Sequence, residues 1–176
     1  MIWESCYWKE PLLKAAKWLR SIRLGENTQE RTYVRIEKEI FWGFYSIRKL
    51  LDARTKLSDH TYELRFSLKT FKNVKKVDEL NWHKLDELYD LEDSNIEQRD
   101  IRYLCNQFIH SFVFIPSGET RLEGIYIASD RIRNQKLYFV SLDQILRAFR
   151  AVGRDYPSAH FYERDLETGS FKINSW

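Results

Sequence analysis

The chain has 176 residues and a net charge of +3. That length suits one domain with a real core, and only six Gly and three Pro exclude a loop-rich or disordered chain. The slight basic excess permits contact with nucleic acid without demanding it. Two cysteines, Cys6 and Cys105, are too few for a disulfide framework, so free thiols are expected. No run approaches a membrane-spanning length of apolar residues, and MIWESCYWKE lacks the basic-then-apolar order of a leader, so cytoplasm follows by default. The aromatic content of 15% points to a core rich in aromatic packing rather than to a ligand.

Residues 11–24, PLLKAAKWLRSIRL, predict a helix with Pro11 in its first turn, Leu12, Leu19 and Ile22 on its buried face, and Gly25 beyond its end. Asn27 and Glu30 offer a cap for a long helix over 28–54. Its stripe of Tyr33, Ile36, Ile40, Phe44, Ile47 and Leu51 alternates by three and four, the strongest periodicity in the chain. Glu37 and Arg48 lie on an adjacent stripe; eleven residues apart, they cannot touch. Each either meets a partner from another element or faces solvent, as most charged residues do.

Over 61–71 the period changes to two. Tyr62, Leu64, Phe66 and Leu68 alternate with Glu63, Arg65, Ser67 and Lys69, which predicts a half-buried strand before the basic turn KNVKK. Residues 82–91 lean towards helix. The stretch 94–112, SNIEQRDIRYLCNQFIHSF, reads as one helix: Ser94 and Glu97 have capping-box spacing, and Ile101, Leu104, Phe108 and Phe112 recur at helical intervals. On such a helix Arg99, Asn106 and His110 share one stripe, with Asn106 and His110 about 20° to either side of Arg99, and Arg102 lies roughly 60° off it.

Beyond the turn at Pro116–Gly118, GIYIASD (124–130) and KLYFV (136–140) predict a hairpin with DRIRN at its tip. Ser141 and Gln144 predict a capped helix over 142–152, closed by Gly153. AHFYER and SFKIN read as two short strands in the tail. From Arg121 to Arg154 seven Arg and Lys stand against three acids, with Tyr126, Tyr138 and Phe139 interleaved. Such a surface can track phosphates and stack bases, with Arg131 and Arg133 as candidate contacts at the tip. The ordinary alternative is strand core and solvated charge.

No glycine-rich phosphate loop, paired Cys-x-x-Cys, H-E-x-x-H or G-x-S-x-G is present, and the four histidines lack metal-ligand spacing, so neither a metal nor a cofactor is expected. Cys105 and His110 project about 140° apart on a helix, which excludes a direct thiol–imidazole pair. Asn106 and His110, four residues apart, do neighbour one another. The imidazole can serve as general acid or base on a 2′-hydroxyl, and the amide can orient it or hold a phosphate or ribose oxygen. The plainer reading is a satisfied polar pair between helices.

The layout resembles the HEPN superfamily: a short helix, the long helix RIEKEIFWGFYSIRKLLDARTKLS, and a later helix ending CNQFIHSF, over roughly residues 10–114. HEPN domains are small helical bundles that usually dimerise through their catalytic helices, and many are metal-independent ribonucleases of toxin–antitoxin and defence systems. Their motif is Arg, four to six residues, then His, often with a polar residue directly after the Arg. Here the His matches His110 and the polar residue matches Asn106, but the Arg position falls on Cys105.

Joined to the elements read above, the resemblance implies one α+β domain, mainly a helical bundle over 10–114 with a strand insertion near 61–71, followed by the small antiparallel hairpin, helix and strands over 120–176. It also implies an RNA-associated protein, either a metal-independent endoribonuclease or an inactive module that binds a partner protein, nucleotide or RNA. In the active form His110 is the general acid–base, Asn106 orients it, and Arg102 or Arg99 holds the scissile phosphate, with Glu37 and Arg48 lining the same cleft. A homodimer with His110 near its axis and an antitoxin or other partner protein follow from the same likeness. A small-molecule pocket lined by the aromatic excess is a third, independent reading.

Overall fold

The computed structural model describes residues 2–176. In chain order the elements are α1 (Cys6–Ser21), α2 (Glu30–Asp52), α3 (Asp59–Tyr62), β1 (Arg65–Asn73), α4 (Leu85–Leu88), β2 (Tyr89–Asp100), α5 (Ile101–Ile109), β3 (Ser111–Ser117), β4 (Gly124–Ser129), β5 (Lys136–Ser141), α6 (Leu142–Arg154), β6 (His160–Arg164) and β7 (Phe171–Ser175). Five strands form one antiparallel sheet in the order β2-β1-β5-β4-β3, and β6 and β7 form a separate ribbon.

This corrects the expected architecture. The domain is α+β, but it is not mainly a helical bundle: strands take 29% of the chain against 39% in helices, so the sheet is a full layer. The strand expected as an insertion is internal to that sheet. β1 pairs with β2 on one side and β5 on the other, and its outward and inward residues alternate as its period of two requires.

The sheet's two faces are covered differently. Phe66, Leu68, Ile125, Ile127, Tyr138 and Val140 face the main core, with α1, α2, α5 and α6 packed over them. Val113, Ala128, Leu137 and Phe71 point the other way, into a smaller core closed by Val77, Leu85 and Leu88 of the segment around α4. Phe44 of α2 anchors the main core. It stacks on Phe108 of α5 with ring centroids 4.0 Å apart and meets Phe149 of α6 edge-on at 5.3 Å. Gly43 makes that contact feasible, because a Cβ there would sit 2.1 Å from the Phe149 ring.

Several boundaries move. The first helix begins at Cys6 and places Pro11 inside, on its exposed side. α2 keeps its buried stripe of Ile36, Ile40, Phe44, Ile47 and Leu51, while Tyr33 stays exposed. Its N-cap is Gln29 without a side-chain bond; upstream, Thr28 closes a turn by accepting from the Gly25 amide at 2.8 Å. Only 85–88 of the expected 82–91 helix is helical. The hairpin and the tail strands lie as expected, and Ser141–Gln144 form a full capping box. Gly153 does not end α6; it is where α1 comes close, since a Cβ there would meet Leu13 at 2.7 Å.

The largest correction falls on 94–112. This stretch is the end of β2, the nine-residue helix α5 and the start of β3. The helix N-cap is Asp100, whose carboxylate accepts from the Tyr103 amide at 2.7 Å, not Ser94. Pairing with β1 overrides the local helical spacing, because it satisfies a ladder of backbone groups that a lone helical turn would leave to solvent. Phe112 falls on β3, whereas Ile101, Leu104 and Phe108 keep their place in the core.

Candidate functional site

α5 bridges the sheet edge and the C-terminal end of α2, and its exposed side borders a cleft of about 870 Å³. Arg48 from α2, Asn106 and His110 from α5 and Arg131 from the β4–β5 connection all line it. His110 is the residue after the last helical turn. Its amide donates to the Asn106 carbonyl at 3.1 Å and its carbonyl accepts from the Asp130 amide at 3.0 Å, so the backbone on both sides is pinned. The imidazole itself is exposed and makes no hydrogen bond among the described residues. Asn106 does not orient it: the Asn106 Oδ1 instead accepts from Arg48 Nε at 3.2 Å.

Arg48 belongs to a charged chain across the helix pair. Its Nη1 and that of Arg102 converge on Asp52 Oδ1, the latter at 2.8 Å. Burial alone would raise the Asp52 carboxyl, but hydrogen bonds from Arg102 and Arg48 outweigh it and hold the group below its ordinary value. Arg102 Nη2 also donates to the Leu51 carbonyl at 3.1 Å, one of the carbonyls that the end of α2 leaves without a helical partner. Arg102 is therefore a cap for α2 and does not line the cleft.

Arg99 is not on the helix at all. It projects from β2, donates to Glu97 Oε2 through Nη2 at 2.6 Å, and lies 4.5 Å above the Tyr103 ring. Glu97 also accepts from Lys136 and, at 2.7 Å, from the Tyr138 hydroxyl. Burial pushes its carboxyl up, yet the bonds from Lys136, Tyr138 and Arg99 win and bring it down to about 2. Since this carboxylate can only accept, Tyr138 donates to it, and the Tyr103 hydroxyl, 2.9 Å away, donates to Tyr138. The relay thus reaches Tyr103, which lines the cleft.

Four of the eight residues singled out from the sequence are brought together: His110, Asn106, Arg48 and Arg131. Arg99 and Arg102 serve the two ion networks beside them. Glu37 lies exposed on α2 away from the cleft. Arg133 turns to the smaller core, where its guanidinium covers the Phe112 ring at 3.6 Å and Nη1 stands 3.4 Å from Asp130 Oδ1, without a directed hydrogen bond.

Asp52, Glu97 and Tyr103 were not read from the sequence as site residues. Asp52 had a visible signal, lying four residues after Arg48; Glu97 was seen only as a cap. Cys105 is fully buried, and burial pushes its thiol up, so it is a core residue. Among the described residues no three of His, Cys, Asp and Glu gather as metal ligands, and no helix is long and apolar enough to cross a membrane.

No family model matches this chain, and no curated protein or solved structure matches it either.

Proposed function

We propose that the chain is a cytoplasmic RNA-associated protein whose cleft holds a phosphodiester, with His110 as a metal-independent general base. The observation that carries this reading is the convergence of an unpartnered imidazole with Arg48, Arg131 and the Asn106 amide on one concave surface. Neutral His110 takes the proton of a ribose 2′-hydroxyl. The 2′-oxygen attacks phosphorus, and the 5′-oxygen leaves with a proton from water. Arg131 and the free donors of Arg48 face the charge that grows on the non-bridging oxygens. A place in a defence or toxin–antitoxin system, and a twofold dimer that pairs two such clefts, rest on the resemblance of the helix layout and of CNQFIHSF, and the five-stranded sheet takes away the bundle part of that layout.

The second reading is a binding module without turnover. It is favoured by Arg48 and Arg102 being drawn onto Asp52, and by the buried Cys105 at the motif's Arg position. The deciding experiment is cleavage of labelled single-stranded RNA in EDTA, wild type against His110→Ala. Cleavage lost in the variant supports the ribonuclease. Salt-dependent binding with no cleavage by either protein supports the module, and equal cleavage by both removes His110 from the chemistry.

A further inference from the structure

A second surface, lying outside the cleft's lining, has the opposite electrostatic design. α1 and α6 pack side by side, and a groove of about 470 Å³ runs between their solvent faces. Lys17 and Arg20 form one wall and Arg150 and Arg154 the other; Leu13 and Ser21 complete it, and no acid lines it. None of the four cations forms a salt bridge, although eight such pairs occur among the described residues. Their spacing is set by helix geometry: steps of three and four residues keep each pair on one face, about 5 Å apart along the axis. Past Arg20 the surface continues into a neighbouring hollow where Arg23 and Arg121 stand beside Glu123 and Asp143, so there the positive charge is mixed with acids.

We infer that this groove binds the phosphodiester backbone of a nucleic acid. Four unmatched like charges on two rigid helices repel one another, and a polyanion laid between them relieves that repulsion and releases its own counterions. Lys and Arg without a stacking platform suit backbone contact and give no base readout. A membrane surface fits less well. Its helices need exposed Trp, Phe or Leu on the buried side, whereas no large hydrophobic residue of α6, and none of α1 beyond Tyr7, is among the exposed ones. The inference stands on these residues and not on the chemistry at His110.

The test is fluorescence anisotropy of a labelled 20-base-pair RNA duplex and of the matching single strand, titrated with salt. The proteins compared are wild type, K17Q/R20Q/R150Q/R154Q and the charge-keeping R20K/R150K/R154K. The neutral variant should bind at least about ten-fold more weakly, with its salt slope on the duplex reduced by about 3 to 4. The lysine variant should keep most of the slope. Cleavage by His110→Ala and this salt slope are separate readouts, so a failed ribonuclease and a failed groove are told apart. An unchanged slope in the neutral variant, with its circular dichroism melt matching wild type, overturns the inference. So does loss of binding to phosphatidylserine vesicles while RNA binding is retained.

Discussion

Two groups of cations share this small domain and are treated oppositely. At the junction of α2, β2 and α5, Arg48 and Arg102 converge on Asp52, while Arg99 and Lys136 converge on Glu97. Along α1 and α6, Lys17, Arg20, Arg150 and Arg154 form no salt bridge among the described residues. The first arrangement uses positive charge to join elements distant in sequence. Arg102 and Asp52 are fifty residues apart, and Lys136 and Glu97 thirty-nine. The second leaves charge available to something outside the chain. Sequence composition cannot separate the two, because both appear only as a moderate basic excess; position relative to the carboxylates does.

The comparison breaks most visibly at Glu97. Glu97→Gln leaves Lys136 and Arg99 without their counter-charge and should cost about 1 to 3 kcal/mol, read from the urea midpoint at neutral pH. The same site carries a pH signature. The folded carboxyl lies at about 2 against an ordinary 4.5, so its contribution is complete above pH 4.5 and is lost as pH falls toward 2. Urea midpoints between those limits should fall for wild type and flatten in Glu97→Gln; parallel curves would deny Glu97 this role.

Asp52→Asn should have a smaller effect on stability, about 1 kcal/mol or less, because its carboxylate is half exposed. It sharpens the comparison in another way: with Arg48 released to the cleft it lines, single-stranded RNA should bind more tightly and with a steeper salt dependence. Unchanged binding would mean that this cation does not reach the ligand. The smallest stability effect belongs to the other group. Lys17→Gln with Arg154→Gln should move the unfolding free energy by no more than about 0.5 kcal/mol. A loss well beyond that would show that the groove cations are structural after all.

What was legible in the sequence follows from where side chains get their partners. The α2 stripe, the β1 alternation and the α6 cap are periodic or local and lie near where expected, although Tyr62 belongs to α3 and β1 begins only at Arg65. β2 was hidden because the positions it turns inward near its end carry Glu97 and Arg99, which have the look of solvent positions until Tyr138 and Lys136 are placed beside them. At that end the inner face is satisfied by charge pairing instead of the apolar burial found at Tyr89, and a hydrophobic pattern cannot report that. The mistaken helix then carried Arg99 into the proposed site. His110 and Asn106 kept their shared cleft because α5 does cover the last turns of the expected helix. The Asn106 bond to Arg48 depends on the angle between two helices and was not readable from spacing.

Lys9 bears on how the chain reaches this state. Its side chain is fully buried; Nζ donates to the Lys56 carbonyl at 2.6 Å and to that of Asp155, and lies 4.3 Å over the Tyr156 ring. The Asp155 side chain in turn accepts from the Ser58 amide at 2.8 Å. The ammonium thus has its full set of neighbours only after a contact spanning 146 residues has closed. Until then, an early-formed α1 carries a charged group that its surroundings do not yet compensate. Because residue 155 must be present for that contact, the full set of partners for Lys9 exists only once most of the chain has been made.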